Sequence, residues 1–510
     1  MSKNRILKLL KKLHQWPAII IAFFAIIFAL SGIIMNHRQL FSPVDVSRKI
    51  LPPNYTYKNW NQAAVRGSVQ TAENEALIYG NIGTWKAKDG FNSFEDFNQG
   101  FPKGIDNRKI YSVVLHENTL FAGTQLGLYK REAGKNWERI SLSVEERIAD
   151  LALKNDTLLV LTRHYLLKSA NGTDFITVQL PEPIGYERKT GLFNTFWELH
   201  SGELLGLPGK LIVDLLGLVT IFLSVSGLLH FFFPKIISRR KKKAKEVSTY
   251  VSVKKTNLHW HNVIGYIFVL FLIINTFSGM HLRPPLLIAI ANKQVGIIPG
   301  THMDSPNPWF DKLRRVQWDE DSNRYIFSTS EGFYFAEESL NKTLQPAFSQ
   351  PPVSVMGCNV LKPFGNGIYL VGSFNGMFLW NIETGDVADF FTKQRYVEPE
   401  GMQSPIGANM AAGLVEGKNA AFWFDYNTGG QRIASAAEKP SVNFPEMTEE
   451  IRKASPMSLW NVALELHTGR VFEHLIGPFY ILIVPIAGIC ILIVLISGFL
   501  LWWKVYRKKG

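Results

Sequence analysis

The sequence of 510 residues predicts an α+β membrane protein: a four-helix transmembrane bundle built from two parallel repeats, with two extracytoplasmic β-rich inserts resembling a split β-propeller. Three observations predict it. Four apolar runs are long enough to cross a bilayer. Short marked fragments occur twice, each time beside an apolar run. The segments between the runs are short alternating strands with glycine turns, repeating at a period near 40.

The elements follow in order. Residues 1–37 are a cytoplasmic N-terminus and the first helix, with no charge over the 20 residues Trp16 to Met35. This run is longer than a usual signal-peptide core and has a partner copy, so it reads as a retained helix. Residues 38–197 form the first insert. The second helix, 198–234, carries only Asp214 between Leu211 and Phe233. Residues 235–257 are a basic loop, and 258–284 the third helix, uncharged from Asn262 to Met280. Residues 285–460 form the second insert, and 461–510 the fourth helix, uncharged from Leu475 to Trp503, with a cytoplasmic C-terminus. About 20 apolar residues span the hydrocarbon core as a helix, where the backbone must satisfy its own polar groups. Trp16 and Trp502-Trp503 are placed as interfacial anchors.

Charge sets the expected orientation. Residues 1–12, 235–255 and 504–510 together hold 18 Lys/Arg and one acid, Glu246, while the whole chain is only +13, so everything else sums to −4. Basic residues flanking apolar runs mark the cytoplasmic side, so the basic balance is a topology signal and not a nucleic-acid footprint. Cys358 lies in an insert and Cys490 inside the fourth helix. The exported domains therefore have no disulfide framework and must fold on core packing.

The repeat can be read in register. His14 stands 17 residues before Ser31-Gly32, and His261 stands 17 before Ser278-Gly279. In the other two helices Gly206, Gly217 and Ser226-Gly227 match Gly477, Gly488 and Ser497-Gly498. Upstream, Glu198-Leu199-His200-Ser201-Gly202 returns as Glu465-Leu466-His467-Thr468-Gly469, with four extra residues before Gly477. Four residues are about one helical turn, which could displace His467 by about 6 Å along a helix. The Ser-Gly pairs read first as points of close helix–helix approach. In the inserts, 110–130 superposes on 148–168 at a period of 38, matching Leu120 with Leu158, Thr124 with Thr162 and Lys130 with Lys168; the Gly332 and Gly376 turns are 44 apart. This spacing suggests five or six propeller blades, either closing into one propeller or forming two separate sheets.

Nine of the twelve histidines fall at helix ends. Ionisable side chains in membrane helices are costly and usually functional, and neutral imidazole is the commonest haem ligand. On the cytoplasmic side the repeat pairs His14 with His261, with His230 competing and His259 an extra facing elsewhere. On the outer side it favours His200 with His467, with His37 and His281 next and His474 nearby. Arg38, Arg283 and Arg470 lie beside the outer histidines and suit haem propionates; ordinary interfacial charge is the plainer reading. His116, His164 and His302 read as surface residues of the inserts. Zinc would need three or four ligands, for which only His467 and His474 with Glu465, or His259 with His261, offer a start. No phosphate-binding or dinucleotide-binding glycine motif is present.

The fragments LHQW…SGIIMNH, ELHSGELLG…SGLLH, LHWHNVIGY…FSGMH and ELHTGRVFEHLIG…SGFLLWW resemble the PepSY-associated transmembrane family across the four helices and their flanks. The family comprises bacterial inner-membrane proteins, some of them haem-containing ferric-siderophore reductases. The inserts show propeller-like blades where a PepSY module would be sought. With the histidines, the resemblance implies two haems b passing electrons from a quinol or a cytoplasmic reductase to an extracytoplasmic acceptor, ferric iron in a siderophore or other chelate. The rival expectation is a non-enzymatic sensor or scaffold whose propeller binds an exported partner.

Overall fold

The computed structural model describes residues 3–507 apart from 74, 89, 354, 399–406, 418–419 and 434–443. Each apolar run yields a membrane helix: Lys3–Asn36, Gly206–Lys242, Ser248–Met280 and Ile483–Leu501. The first and third helices each pack against the second and fourth, so the four stand in cyclic order. Neighbours run antiparallel and diagonal partners run parallel, the arrangement that two parallel repeats require. The link at 243–247 lies at the end of the bundle where the chain enters and leaves. Both inserts lie at the other end.

Two boundaries differ from expectation. Most of the presumed loop 235–257 is helix, because the second helix runs through Pro234 to Lys242 and the third starts at Ser248. Lys and Arg are good helix formers, so both helices continue past the apolar core. The fourth apolar run is continuous α-helix only from Ile483; two 3-10 turns and the single α-turn Glu473–Ile476 occupy Arg470 to Leu482. Asp214 has a compensating environment. A carboxylate at a membrane-helix centre costs on the order of 3 kcal/mol, but Asp214 sits near the propeller end, 2.6 Å from His37 Nε2 and 3.1 Å from Asn36 Nδ2.

The inserts close into one propeller of six antiparallel sheets, at 67–96, 110–140, 148–178, 313–346, 360–389 and 411–432. The first five have four strands each, and the sixth has three among the described residues. Each insert contributes three blades. The third packs on the fourth, which joins the inserts, and the sixth packs on the first, which closes the ring. The closing seam is a core of large rings, including Trp60, Trp85, Phe91, Phe422, Phe424 and Phe444. Second strands such as Thr119–Thr124 and Thr157–Thr162 are buried almost throughout, as strands covered on both faces must be. The turns after Thr119–Thr124 and Arg324–Thr329 take a residue of positive φ, supplied by Gly127 (φ +126°) and Gly332 (φ +125°).

The propeller is fastened to the bundle by backbone and charge. Asp45–Val46 pairs with Met457–Ser458, and Lys189–Gly191 pairs with Gln294–Gly296. Arg38, just past the first helix, grips the fully buried Asp106 carboxylate through Nε and Nη2, both at 2.6 Å. Its guanidinium also lies 3.9 Å over the Trp460 ring.

Candidate functional site

The structure brings His14 and His261 together near the terminal end of the bundle, with ring centroids 6.2 Å apart. His200 and His467 meet near the propeller end at 5.9 Å. In each pair, one ring comes from each half of the chain.

Each ring is seated in a notch on a neighbouring helix, and the notch is a Ser-Gly pair. An added Cβ would lie 2.8 Å from His14 Cε1 at Gly498, 3.6 Å from His261 Cε1 at Gly227, 2.4 Å from His200 Cε1 at Gly279 and 3.4 Å from His467 Cε1 at Gly32. The glycines expected to admit a helix therefore admit an imidazole. The same helices fix the ring nitrogens. His14 Nδ1 donates to Val494 O, His200 Nδ1 to Asn275 O and His467 Nδ1 to Phe28 O, each at 3.0 Å. Each acceptor stands three residues before the Ser of its notch. His261 Nδ1 is 2.7 Å from Ser226 Oγ, whose own hydrogen goes to Leu223 O, so the imidazole donates there too. All four rings are thus Nδ1–H tautomers with the lone pair on Nε2. A metal-binding imidazole uses this arrangement, its other nitrogen held by a carbonyl or hydroxyl.

The propeller-side pair survives the four-residue offset. His200 and His467 end short helices, Leu192–Ser201 and Leu459–His467. Each is followed by a left-handed glycine, Gly202 or Gly469 (φ +81° and +72°), and a 3-10 turn. The chain then reaches a second glycine of matching conformation, Gly206 or Gly477 (φ +62° and +56°). The extra residues are one α-turn, Glu473–Ile476, inserted after the histidine, so its depth is unchanged.

A continuous cavity of about 790 Å³ runs through the bundle, lined by all four paired histidines and by apolar side chains such as Ala22, Leu272 and Leu495. His230 and Lys11 line its terminal end, and Arg283 and Arg470 its propeller end. His230 Nδ1 and Arg283 Nε are buried without a hydrogen-bond partner among the described residues. Arg470 Nε is 3.0 Å from Glu465 Oε2, which also accepts from Tyr55 at 2.7 Å.

Other predicted site residues lie elsewhere. Arg38 is committed to Asp106 and faces the propeller, which removes it as a propionate partner. His37 is bound to Asp214, and His281 donates to Phe277 O at 2.8 Å beside the Phe277 and Phe196 rings. Neither joins the propeller-side pair. His259 is exposed, and His474 donates to Val471 O. Among the described residues no three His, Cys, Asp or Glu side chains converge as a metal site. Two insert histidines are not surface residues. His116 is buried against Asp156 O, and His164 packs 4.4 Å from Phe310, where burial pulls its imidazole down to about 4. His302 is exposed, and its bond to Glu198 raises it.

The sequence matches no curated protein. Among solved structures it is similar to β-propellers at low identity. The WD40 propeller domain of Doa1 is 10% identical over 75% of this chain and 98% of that one, with a TM-score of 0.33. YCF48 bound to D1 peptide is 10% identical over 76% and 96%, with a TM-score of 0.30. The extracellular domain of the two-component system BT4673 from B. thetaiotaomicron is 13% identical over 76% of this chain, with a TM-score of 0.33; the match spans only 39% of that protein. The PepSY-associated TM region matches residues 2–233 and 236–505, nearly the whole length including the blades, and the chain belongs to that family.

Proposed function

We propose that the protein is a dihaem b-type electron conduit, with His14 and His261 holding one haem and His200 and His467 the other. The observation that carries this reading is the pairing itself. Two metal–nitrogen bonds of about 2 Å plus the half-widths of two imidazoles give a ring separation of about 6 Å, and the observed separations are 6.2 and 5.9 Å. The donor set suits the group as well: four Nδ1–H imidazoles, four glycine notches that a Cβ would fill, and an apolar cavity between them.

When bound, a bis-histidine haem supplies a one-electron carrier with no open position for substrate. The residues of this chain set its surroundings. Val494, Asn275 and Phe28 carbonyls and Ser226 Oγ hold the rings by Nδ1 and leave Nε2 to serve as the ligand atom. The apolar walls exclude water. Arg283 and Arg470 at the outer end and Lys11 at the inner end offer cations to propionates, and the unbonded Arg283 Nε is free for such a bond.

The basic residues flanking the helices support a reading with the termini in the cytoplasm and the propeller outside the inner membrane. Electrons then pass outward from a quinol or a cytoplasmic reductase to ferric iron in a siderophore or other chelate. The test is anaerobic: dithionite-reduced protein should be reoxidised by a ferric chelate, and His200→Ala and His467→Ala should each lower that rate at least tenfold. Unchanged reoxidation in both variants would count against the assignment.

A further inference from the structure

The propeller has a second polar centre, remote from the paired histidines of the bundle. Arg66, Arg147, Arg163, Arg314 and Arg315 converge where first strands of neighbouring blades surround the axis, around a small cavity of about 60 Å³. Two of these cations are matched. Arg315 forks onto Asp150 at 3.2 Å through two nitrogens, and Arg163 Nε is 2.6 Å from Asp311. Three have no carboxylate partner among the described residues. Arg66 reaches only the amide oxygens of Asn359 and Asn81, at 3.2 to 3.5 Å. Arg314 donates to the backbone oxygens of Val355, Asp311 and Leu313. Arg147 lies 3.8 Å over the Tyr111 ring, with its Nε buried and unbonded.

Like charges crowded away from water repel and lose hydration, so such a cluster is costly without a counter-ion. Tyr111, whose hydroxyl donates to Gln125 at 2.6 Å, reports the resulting potential. Burial pushes its phenol up, yet Arg147, Lys109, Arg38 and Arg66 outweigh burial and bring it down to about 7. The acids nearby are Asp106 on Arg38, Asp150 on Arg315, Asp311 on Arg163 and, on the Arg314 side, Glu331, which is held by Lys312. Ionisation of Tyr111 alone would still leave most of the unmatched charge.

We propose that the propeller axis binds a small oxyanion, one carboxylate or phosphate group held by Arg66, Arg147 and Arg314. Planar guanidinium forks match these groups in geometry as well as charge. The cavity has room for one such group, so a larger ligand would insert one anionic arm and leave the rest at the propeller mouth. The site stands whether or not the bundle holds haem.

The test uses the full-length protein in detergent, titrated with inorganic phosphate and with citrate against chloride at equal ionic strength. Calorimetry should give saturable binding of at least one anion, weakened at least tenfold by Arg147→Gln and by Arg314→Gln. Tighter phosphate would identify a phosphate-bearing ligand, and tighter citrate a carboxylate-bearing one. A second readout needs no arginine variant. Tyrosinate absorbance appearing near neutral pH should vanish in Tyr111→Phe, and in the wild type the bound anion should move it to higher pH. No saturable binding above chloride, Gln variants that bind like wild type, or a Tyr111 titration indifferent to both anions would each overturn the site.

Discussion

An alanine placed at each notch glycine should read the histidine seats one at a time. At Gly279 and Gly498 the new methyl would stand 2.4 and 2.8 Å from a ring carbon, closer than real contacts allow, and its neighbour is a ring already bonded at Nδ1. Gly279→Ala should therefore lose the propeller-side haem and Gly498→Ala the terminal-side one. Gly227→Ala, with 3.6 Å of room, should keep both. Haem content per protein, measured on the three variants, checks this ordering. Arg38 makes a different prediction. Its removal strands the Asp106 carboxylate, fully buried, and breaking such a pair costs about 3–5 kcal/mol. Arg38→Ala should loosen the propeller, seen as faster proteolysis of the inserts, while haem content stays at wild-type level. At this scale the sequence was legible where the repeat constrained it. The 17-residue spacings picked out His14 and His261. The role of the Ser-Gly pairs was not legible, because the ring that fills Gly279 arrives from Leu192–Ser201, far away along the chain. Arg38 was misplaced for the same reason: proximity to His37 along the chain said nothing of Asp106.

Among the elements, the turn Glu473–Ile476 explains how the two halves differ while their histidines stay in register. Deleting those four residues would leave Gly469 and Gly477 separated as Gly202 and Gly206 are, so the deletion variant should retain His467 ligation and the spectrum of the parent. The closing seam of the propeller depends on Phe444, packed against Trp60, Phe91, Phe422 and Phe424. Phe444→Ala should cost about 3–5 kcal/mol of propeller stability, read as a lower unfolding temperature of the insert domain. The blades were visible beforehand as a period of 38 with glycine turns. The same register placed Lys109 and Arg147 at equivalent positions ahead of two first strands, a signal for the axial basic cluster that the strand pattern overshadowed. The helical extension of the basic segment was missed because apolar length measures the bilayer and not the helix.

Across the whole molecule, each half of the chain is incomplete in the same way. Residues before the 243–247 link supply three blades and one histidine of each pair, and residues after it supply the rest. Neither half expressed alone should bind haem with two histidines, and the two halves expressed together should. The central claim is most directly tested by the spectrum and haem stoichiometry of the purified full-length protein, produced with ample haem, beside His14→Ala and His261→Ala. Two haems b per chain are expected, with a six-coordinate low-spin spectrum in both oxidation states. Each of the two variants should retain one haem, and the same one. A preparation without a Soret band, or two haems retained in both variants, would contradict it.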